Sequence, residues 1–101
     1  MREKIDSYLG FAKKSRSLIT GYNTCIFAIN KKKLKLLILT EDLSENTVKK
    51  LTKLSMDNGV PFRIYGKTEE LSRITGSQER GVFGITDVNF ADVILKELDS
   101  E

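Results

Sequence analysis

Apolar residues recur at intervals of three and four positions near the start of the chain, the spacing that places them on one face of an α-helix. Ile5, Tyr8, Leu9 and Ala12 form this face and predict a helix over residues 4–16. Its last positions are basic, which complements the negative end of the helix dipole. The chain therefore opens with an amphipathic helix.

Further helices are predicted wherever the same spacing follows a residue that can cap a helix N-terminus. Asn23, Ser44, Thr68 and Asp87 are such residues, because a short polar side chain can accept a hydrogen bond from the first turn. The predicted helices after the first run from Tyr22 to the lysines at 31–33, over 44–58, over 68–75, and from Asp87 through a stripe of Ala91, Ile94, Leu95 and Leu98.

Four short apolar segments alternate with these helices and are predicted as strands: residues 18–20, 36–39, 62–65 and 82–85. The segment 36–39 is apolar at every position, which is typical of a central strand buried on both faces. Alternation of helices and strands predicts an α/β protein. We expect one domain over residues 1–101, a three-layer α/β/α sandwich whose short mixed sheet of about four strands carries helices on both faces.

The composition excludes several kinds of chemistry. The chain has no histidine and one cysteine, so a Ser-His-Asp triad or a Cys-His pair is impossible and a zinc site would be hard to assemble. We expect no catalytic residue, no metal and no cofactor. Cys25 has apolar neighbours and is predicted to be buried and inert. A lone cysteine and the lack of a long apolar run favour a cytoplasmic protein without a membrane partner.

Basic charge is concentrated in the first half of the chain. Residues 1–50 contain 11 Lys and Arg against 5 Asp and Glu, whereas residues 51–101 contain 6 against 9. Such asymmetry is one indication of an anionic partner, and a solvated basic face is the equally plain interpretation. The densest run is Lys31, Lys32, Lys33 and Lys35, which could form one phosphate-facing surface with Lys13, Lys14 and Arg16.

Two short segments are candidates for specific chemistry. Glu41 and Asp42 follow the predicted central strand, where a pair of acids could bind magnesium, although the start of a helix is the favoured interpretation. The segment from Gly21 to Thr24 combines a glycine turn, a tyrosine and an amide at a helix N-terminus. Such a terminus can bind phosphate, the amide can bind a base edge and Tyr22 can stack on a base. A simple capped helix start is the alternative.

The chain resembles the ribosomal L7Ae/L30e superfamily, and within it the small bacterial YlxQ-like branch. Four segments carry the resemblance in the family's order: the LGFAKKSR helix, the strand, turn and helix LLILTEDLSENTVKK, the Val60-Pro61 pair, and the stretch from Arg80 through VFGITD to Phe90-Ala91. They are similar to the family's patterns LGLA, LVLLAxDASxNTxKK, VP and RxVxAITDxGFA. The likeness covers nearly the whole chain.

The resemblance implies an α/β/α fold and binding of kink-turn RNA. In the family, the turn after the first strand carries a motif close to G-x-N-E-x-x-K that reads sheared G·A pairs. Gly21 and Asn23 match this motif, whereas Thr24 replaces the acid and Phe27 replaces the lysine. Phe27 could stack on a base or join the core. A loop before the last strand covers flipped-out bases in the family, and here it contains Ser77, Gln78, Glu79 and Arg80.

We therefore expect a monomeric, ribosomal-protein-like protein that binds structured RNA, ribosomal or other non-coding, with kink-turn RNA as the family's ligand. The candidate contacts are Lys14, Arg16, Gly21, Tyr22, Asn23, Thr24, Phe27, Lys31, Lys32, Ser77, Gln78, Glu79 and Arg80. Ribosomal proteins are further candidate partners. The alternative is a ribosome-associated or protein-interaction scaffold module that kept the fold and lost kink-turn specificity.

Overall fold

A computed structural model of the chain describes residues 2–78 and 80–100. Five helices and four strands alternate within them: α1 (Arg2–Lys14), β1 (Leu18–Thr20), α2 (Tyr22–Asn30), β2 (Leu36–Leu39), α3 (Glu45–Asp57), β3 (Phe62–Ile64), α4 (Thr68–Thr75), β4 (Val82–Ile85) and α5 (Val88–Asp99). None of these helices is both long enough and apolar enough to span a membrane.

The strands form one mixed sheet in the order β1-β4-β2-β3. Strand β4 runs antiparallel to both β1 and β2, and β2 runs parallel to β3. The two central strands are buried at every position, as the continuous apolar run at 36–39 predicts. The mixed sheet of four strands is confirmed.

Helices cover both faces of the sheet and create two separate apolar clusters. Because side chains alternate across a strand, Leu36 and Ile38 enter the cluster under α1, α4 and α5. Leu37 and Leu39 enter the other cluster, under α2 and α3. The three-layer α/β/α sandwich is therefore the observed fold.

Helix α1 ends two residues before the predicted boundary at residue 16. Arg16 adopts the left-handed conformation with φ of 63°, and the N–H of Ser17 donates to the carbonyl of Ala12 over 2.7 Å. This closing turn satisfies carbonyls that the helix leaves open. The basic residues at 13–16 therefore span the helix end and the turn after it.

The predicted N-caps are confirmed at two of the four positions. Ser44 accepts a hydrogen bond from the N–H of Thr47, and Asp87 accepts one from the N–H of Phe90. The prediction for Asn23 is wrong, because Gly21 occupies the N-cap position of α2 with φ of 105° and the helix begins at Tyr22.

The N-cap prediction for Thr68 is wrong for a different reason. Thr68 is the first residue of α4, and the N-cap position belongs to Lys67. The N–H of Thr68 donates instead to the carboxylate of Asp42, over 3.1 Å to one oxygen. A residue from the turn after β2 thus caps α4 across space, which spacing along the chain cannot reveal.

Candidate nucleic-acid interface

The sheet register divides the loops of the molecule between two edges. One end of the sheet contains Thr20, Leu39, Ile64 and Val82, which are terminal residues of the four strands. We call this row of strand ends the turn edge. Leu18, Leu36 and Ile85 lie at the opposite edge, which we call the lysine edge. The turn after β1 and the loop before β4 therefore meet at the turn edge, although they are far apart in the sequence.

Gly21 connects β1 to α2 at the turn edge. Its N–H donates to the carbonyl of Val82 over 2.8 Å, and its carbonyl accepts from the N–H of Cys25. The φ of 105° is rarely adopted by residues with a side chain. No side chain of the described residues caps the N-terminus of α2. The first-turn N–H groups of α2 thus have no side-chain partner among the described residues at this turn, where the positive end of the helix dipole lies.

The outward face of α2 carries three of the predicted contacts. Asn23 and Thr24 are exposed, and Phe27 is 61% exposed. The alternative that Phe27 joins the core is therefore excluded. The ammonium of Lys31 lies 5.5 Å from the centre of the Phe27 ring, a distance at which cation and ring attract each other.

Tyr22 is less accessible than the sequence predicts. As the first residue of α2 it packs against the α2/α3 cluster and is half-buried. The ammonium of Lys50 lies 5.8 Å from its ring centre. Part of the ring lines a cleft of about 430 Å³ whose other walls are Gly21, Leu43, Thr47, Arg80, Gly81 and Val82. Tyr22 is therefore a wall of the cleft and not a freely exposed ring.

Hydrogen bonds to Ser72 hold two residues of the loop before β4, Ser77 and Arg80. The buried hydroxyl of Ser72 accepts from the N–H of Arg80 over 2.9 Å and donates to the carbonyl of Arg80 over 3.1 Å. The N–H of Ser77 donates to the carbonyl of Ser72. Gln78 and the side chain of Arg80 remain exposed, and Glu79 lies outside the described residues. The backbone of Arg80 is therefore held in place, so its guanidinium is presented next to the cleft.

Four of the predicted basic contacts lie at the other edge of the sheet: Lys14, Arg16, Lys31 and Lys32. The carbonyl of Ser17 accepts from Thr86, which places Lys14 and Arg16 near the end of β4. The N–H of Lys35 donates to the carbonyl of Ile85, so the run at 31–33 lies at this edge too. The two groups follow helices on opposite faces of the sheet. Helix α2, about 14 Å long, separates Lys31 and Lys32 from the turn at Gly21.

The acidic pair after β2 stabilises the fold. Asp42 accepts hydrogen bonds from the N–H and the hydroxyl of Thr68, and the ammonium of Lys67 lies 3.4 Å from Glu41. The hydroxyl of Thr68, with a smaller contribution from Thr40, lowers the pKa of Asp42. Among residues 2–78 and 80–100, no three acidic or thiol groups converge on a possible metal site. Both acids thus stabilise the start of α4. The sequence interpretation assigned them to the start of α3 instead.

This arrangement predicts a pH-dependent role for Asp42. A carboxyl whose pKa is lower in the folded state stabilises the fold above its unfolded pKa, which is about 3.9. We expect Asp42→Ala to lower the melting temperature at neutral pH. The difference from wild type should begin to shrink as the pH falls below about 4 and should be lost as the pH falls through the lower pKa of the folded state. Thermal melts of both proteins from neutral to acidic pH measure this, and a difference that persisted unchanged in acid would contradict the cap. Wild type must be measured at each pH, because Arg63 also lowers the pKa of Asp99. Both proteins therefore lose stability in acid through that pair, independently of Asp42.

Cys25 is buried in the α2/α3 cluster, as predicted. Burial raises the pKa of its thiol to about 12. Since the thiolate is the nucleophilic form, this cysteine is unreactive at neutral pH in the folded protein.

Three residues at the turn edge escaped the sequence analysis. Ser72 fixes the loop before β4, and a serine inside a helix gives no sign of this. Gly81 lies so close to Leu43 that a Cβ atom would come within 2.5 Å of a methyl group, and its position before an apolar strand was the available signal. Lys50 covers Tyr22 across two helices, a contact that only the packing of α2 on α3 creates.

Comparison with known proteins gives a consistent result. The profile of the ribosomal protein L7Ae/L30e/S12e/Gadd45 family matches residues 3–95. RNA-binding protein YlxQ of Bacillus subtilis is 35% identical over 91 residues, which are 90% of this chain and 91% of that protein. RNA-binding protein YlxQ of Enterococcus faecium is 36% identical over 91 residues, 89% and 86% of the two chains.

Solved structures agree with the fold. A protein of unknown function from Bacillus halodurans superposes with a TM-score of 0.92 at 31% identity, over 95% of this chain and 97% of that one. A 15.5 kD RNA-binding protein of Giardia lamblia superposes with a TM-score of 0.81 over 97% of this chain and 86% of that one. At 20% identity the second likeness concerns the fold alone.

Proposed function

We propose that this chain, which belongs to the ribosomal protein L7Ae/L30e/S12e/Gadd45 family, binds structured RNA at its turn edge. One observation carries the proposal. Gly21, beside the uncapped N-terminus of α2, and Arg80, from a loop much later in the chain, line the same cleft. Two relatives more than a third identical to this chain are named RNA-binding proteins.

Each group in this surface matches a part of RNA. The free N–H groups and dipole of α2 suit a phosphate, and the Arg80 guanidinium can bind phosphate in a bidentate way. The exposed amide of Asn23 has a donor and an acceptor for a base edge. Tyr22 lines the cleft, where an aromatic side chain can contact a base. These residues together bind a backbone and at least one accessible base.

We propose further that the ligand is a bent RNA of the kink-turn type, recognised by its shape more than by its base sequence. Gly21 and Asn23 retain two positions of the family's motif, which supports an RNA ligand that is bent where it meets this turn. Thr24 supplies at most a hydroxyl where the motif has a carboxylate, and Phe27 has no group that pairs with guanine. Contacts to phosphates therefore outnumber contacts to base edges.

We also propose that the protein acts by binding and not by catalysis. The chain has no histidine, the thiol of Cys25 is buried and unreactive, and the carboxylate of Asp42 is occupied by the start of α4. These are the groups that would otherwise serve as base, nucleophile or metal ligand.

A second candidate function, docking to a protein, is favoured by one feature on the far face of the sheet. A groove of about 450 Å³ between α1 and α5 is lined mainly by apolar side chains, among them Phe11, Phe90 and Val93. Phe11 is 56% exposed. If the protein is a ribosome-associated scaffold module, ribosomal proteins are the partners that would dock in this groove.

The position of the RNA predicts how salt affects its binding. A base-paired stem that starts at the turn edge and continues along α2 brings phosphates to Lys31 and Lys32. Each phosphate contact contributes about 0.7 to 0.9 to the slope of log affinity against log salt. We expect Lys31→Ala with Lys32→Ala to weaken binding of a kink-turn RNA and to flatten this slope by about 1.4 to 1.8.

Titrations at several salt concentrations measure the slope. Lys4→Ala with Lys96→Ala is the matched control, because it removes the same charge from α1 and α5. An equal slope for the two double variants would assign the lysines at 31 and 32 to solvent. Arg80→Ala should flatten the slope by about 0.7 to 0.9, since it removes one phosphate ligand at the turn edge.

A further inference from the structure

The outward face of α2 presents an aromatic ring in an unusual setting. Phe27 is 61% exposed although Cys25, Ala28 and Ile29 on the same short helix are buried. A single exposed apolar residue is common on protein surfaces. Here, however, a cation covers part of the ring, since the ammonium of Lys31 lies 5.5 Å from its centre. A charged side chain and an exposed ring thus form one compact unit.

Polar groups surround this unit on the helix surface. Residues four apart on a helix are neighbours on one face, so Asn23, Phe27 and Lys31 form a row along α2. Asn30 is exposed beside them. The row and Asn30 together offer an aromatic face, two amides and an ammonium within about two turns of helix.

These groups are complementary to an unpaired nucleotide. A base stacks on an aromatic ring through its flat face, a neighbouring amide can reach its edge, and a lysine can bind its phosphate. In a duplex both faces of each base are covered by the adjacent base pairs. A duplex can therefore meet the lysine but cannot use the ring.

We infer that Phe27 is a stacking platform for an unpaired base and that the pair Phe27 and Lys31 makes the protein prefer RNA with an unpaired nucleotide next to a stem. The inference rests on the proposed function, because it assigns one nucleotide of the same bound RNA. The platform reads a π-face and not a base edge, so it tolerates every base.

The adjoining surface can accommodate the strand that carries this nucleotide. A second cleft, of about 350 Å³, lies between α2 and α3 and is lined by Ile26, Asn30, Lys50, Lys53, Leu54 and Asp57. Asn30 belongs both to this cleft and to the exposed face of α2. Lys50 and Lys53 supply positive charge along it, although Lys53 is paired with Asp57 at 3.1 Å.

Substitutions at Phe27 test the inference with two RNAs, a hairpin whose internal loop is a kink-turn and the same hairpin fully paired. Phe27→Ala and Phe27→Leu should bind the looped hairpin roughly 5- to 150-fold more weakly than wild type. Their affinity for the paired hairpin should not change. Phe27→Trp should retain the affinity for the looped hairpin. All three variants should have the melting temperature of wild type, because the side chain at position 27 is exposed.

Fluorescence gives an independent measurement. The chain has no tryptophan, so Phe27→Trp introduces a single reporter at the site. A base stacked on it should quench its emission when the looped hairpin is added, and the paired hairpin should not.

Failure of the inference and failure of the proposed function give different results. Wild-type affinity in Phe27→Ala, or unchanged emission from Phe27→Trp while the RNA is bound, would overturn the platform and leave RNA binding intact. If wild type bound neither hairpin, the proposed function itself would be overturned and the platform with it.

Discussion

Replacing Asn23 with alanine is expected to weaken binding of a kink-turn RNA by roughly 5- to 150-fold and to leave the melting temperature unchanged. A bidentate amide contact with a base is worth about 1–3 kcal/mol on figures derived from DNA, and this range converts to that loss of affinity. The stability should not change because the Asn23 side chain is exposed and does not cap α2.

The matched control for this substitution is Asn89→Ala. Asn89 is the second residue of α5, as Asn23 is the second residue of α2, and both are exposed. It lies away from the turn edge, so its removal should change neither affinity nor stability. RNA titrations and thermal melts of both variants give the two readouts. Equal RNA affinity in both variants would show that Asn23 does not act as a base contact, and a clear loss of stability in Asn23→Ala would show that its side chain supports the fold.

Replacing Phe83 with alanine is expected to cost about 3–5 kcal/mol of unfolding free energy. Phe83 lies in the central strand β4, is fully buried, and packs in the cluster under α1 and α5. A domain of this size has about 5–15 kcal/mol of stability in total. The variant should therefore melt more than ten degrees below wild type, since about 1 kcal/mol shifts the midpoint by about 4–8 °C.

Phe11→Ala is the control for Phe83→Ala. It removes the same side chain from a position that is 56% exposed, and its effect should stay within about 0.5 kcal/mol. Urea or thermal unfolding followed by circular dichroism measures both. Similar destabilisation by the two substitutions would contradict the layered arrangement of the core.

The order and type of the helices and strands could be predicted because each depends on residues that are close together in the sequence. The apolar run at 36–39 required burial on both faces, and β2 is buried on both. Ser44 and Asp87 cap helices as expected, since each acts on the residue three positions later. Features determined by neighbours along the chain were thus accessible before the structure.

Features that depend on contacts between residues far apart in the sequence could not be predicted from it. The acid at position 42 caps a helix that starts 26 positions later, and no periodicity connects the two. Asn23 was expected to cap α2, but Gly21, which is free to adopt φ of 105°, occupies the N-cap position two residues earlier.

The layout of the candidate site depends on the same kind of information. Its residues could be named from the sequence, yet their division between two sheet edges follows from the antiparallel pairing of β4 with β1 and β2. Two interpretations of Phe27 were open because its own type fits both a core and a stacking surface. Its position opposite Cys25, Ala28 and Ile29 on α2 settles its exposure.

The measurement that tests the central claim most directly is a gel-shift titration of the wild-type protein with a kink-turn RNA and with an unbent duplex of the same length. It should be performed at two salt concentrations, because phosphate contacts lose affinity as salt rises. We predict that the kink-turn RNA binds more tightly at both concentrations and that both affinities fall with salt. Equal affinity for the two RNAs, or no binding to either at the lower salt, would contradict the proposal that the turn edge recognises bent, structured RNA.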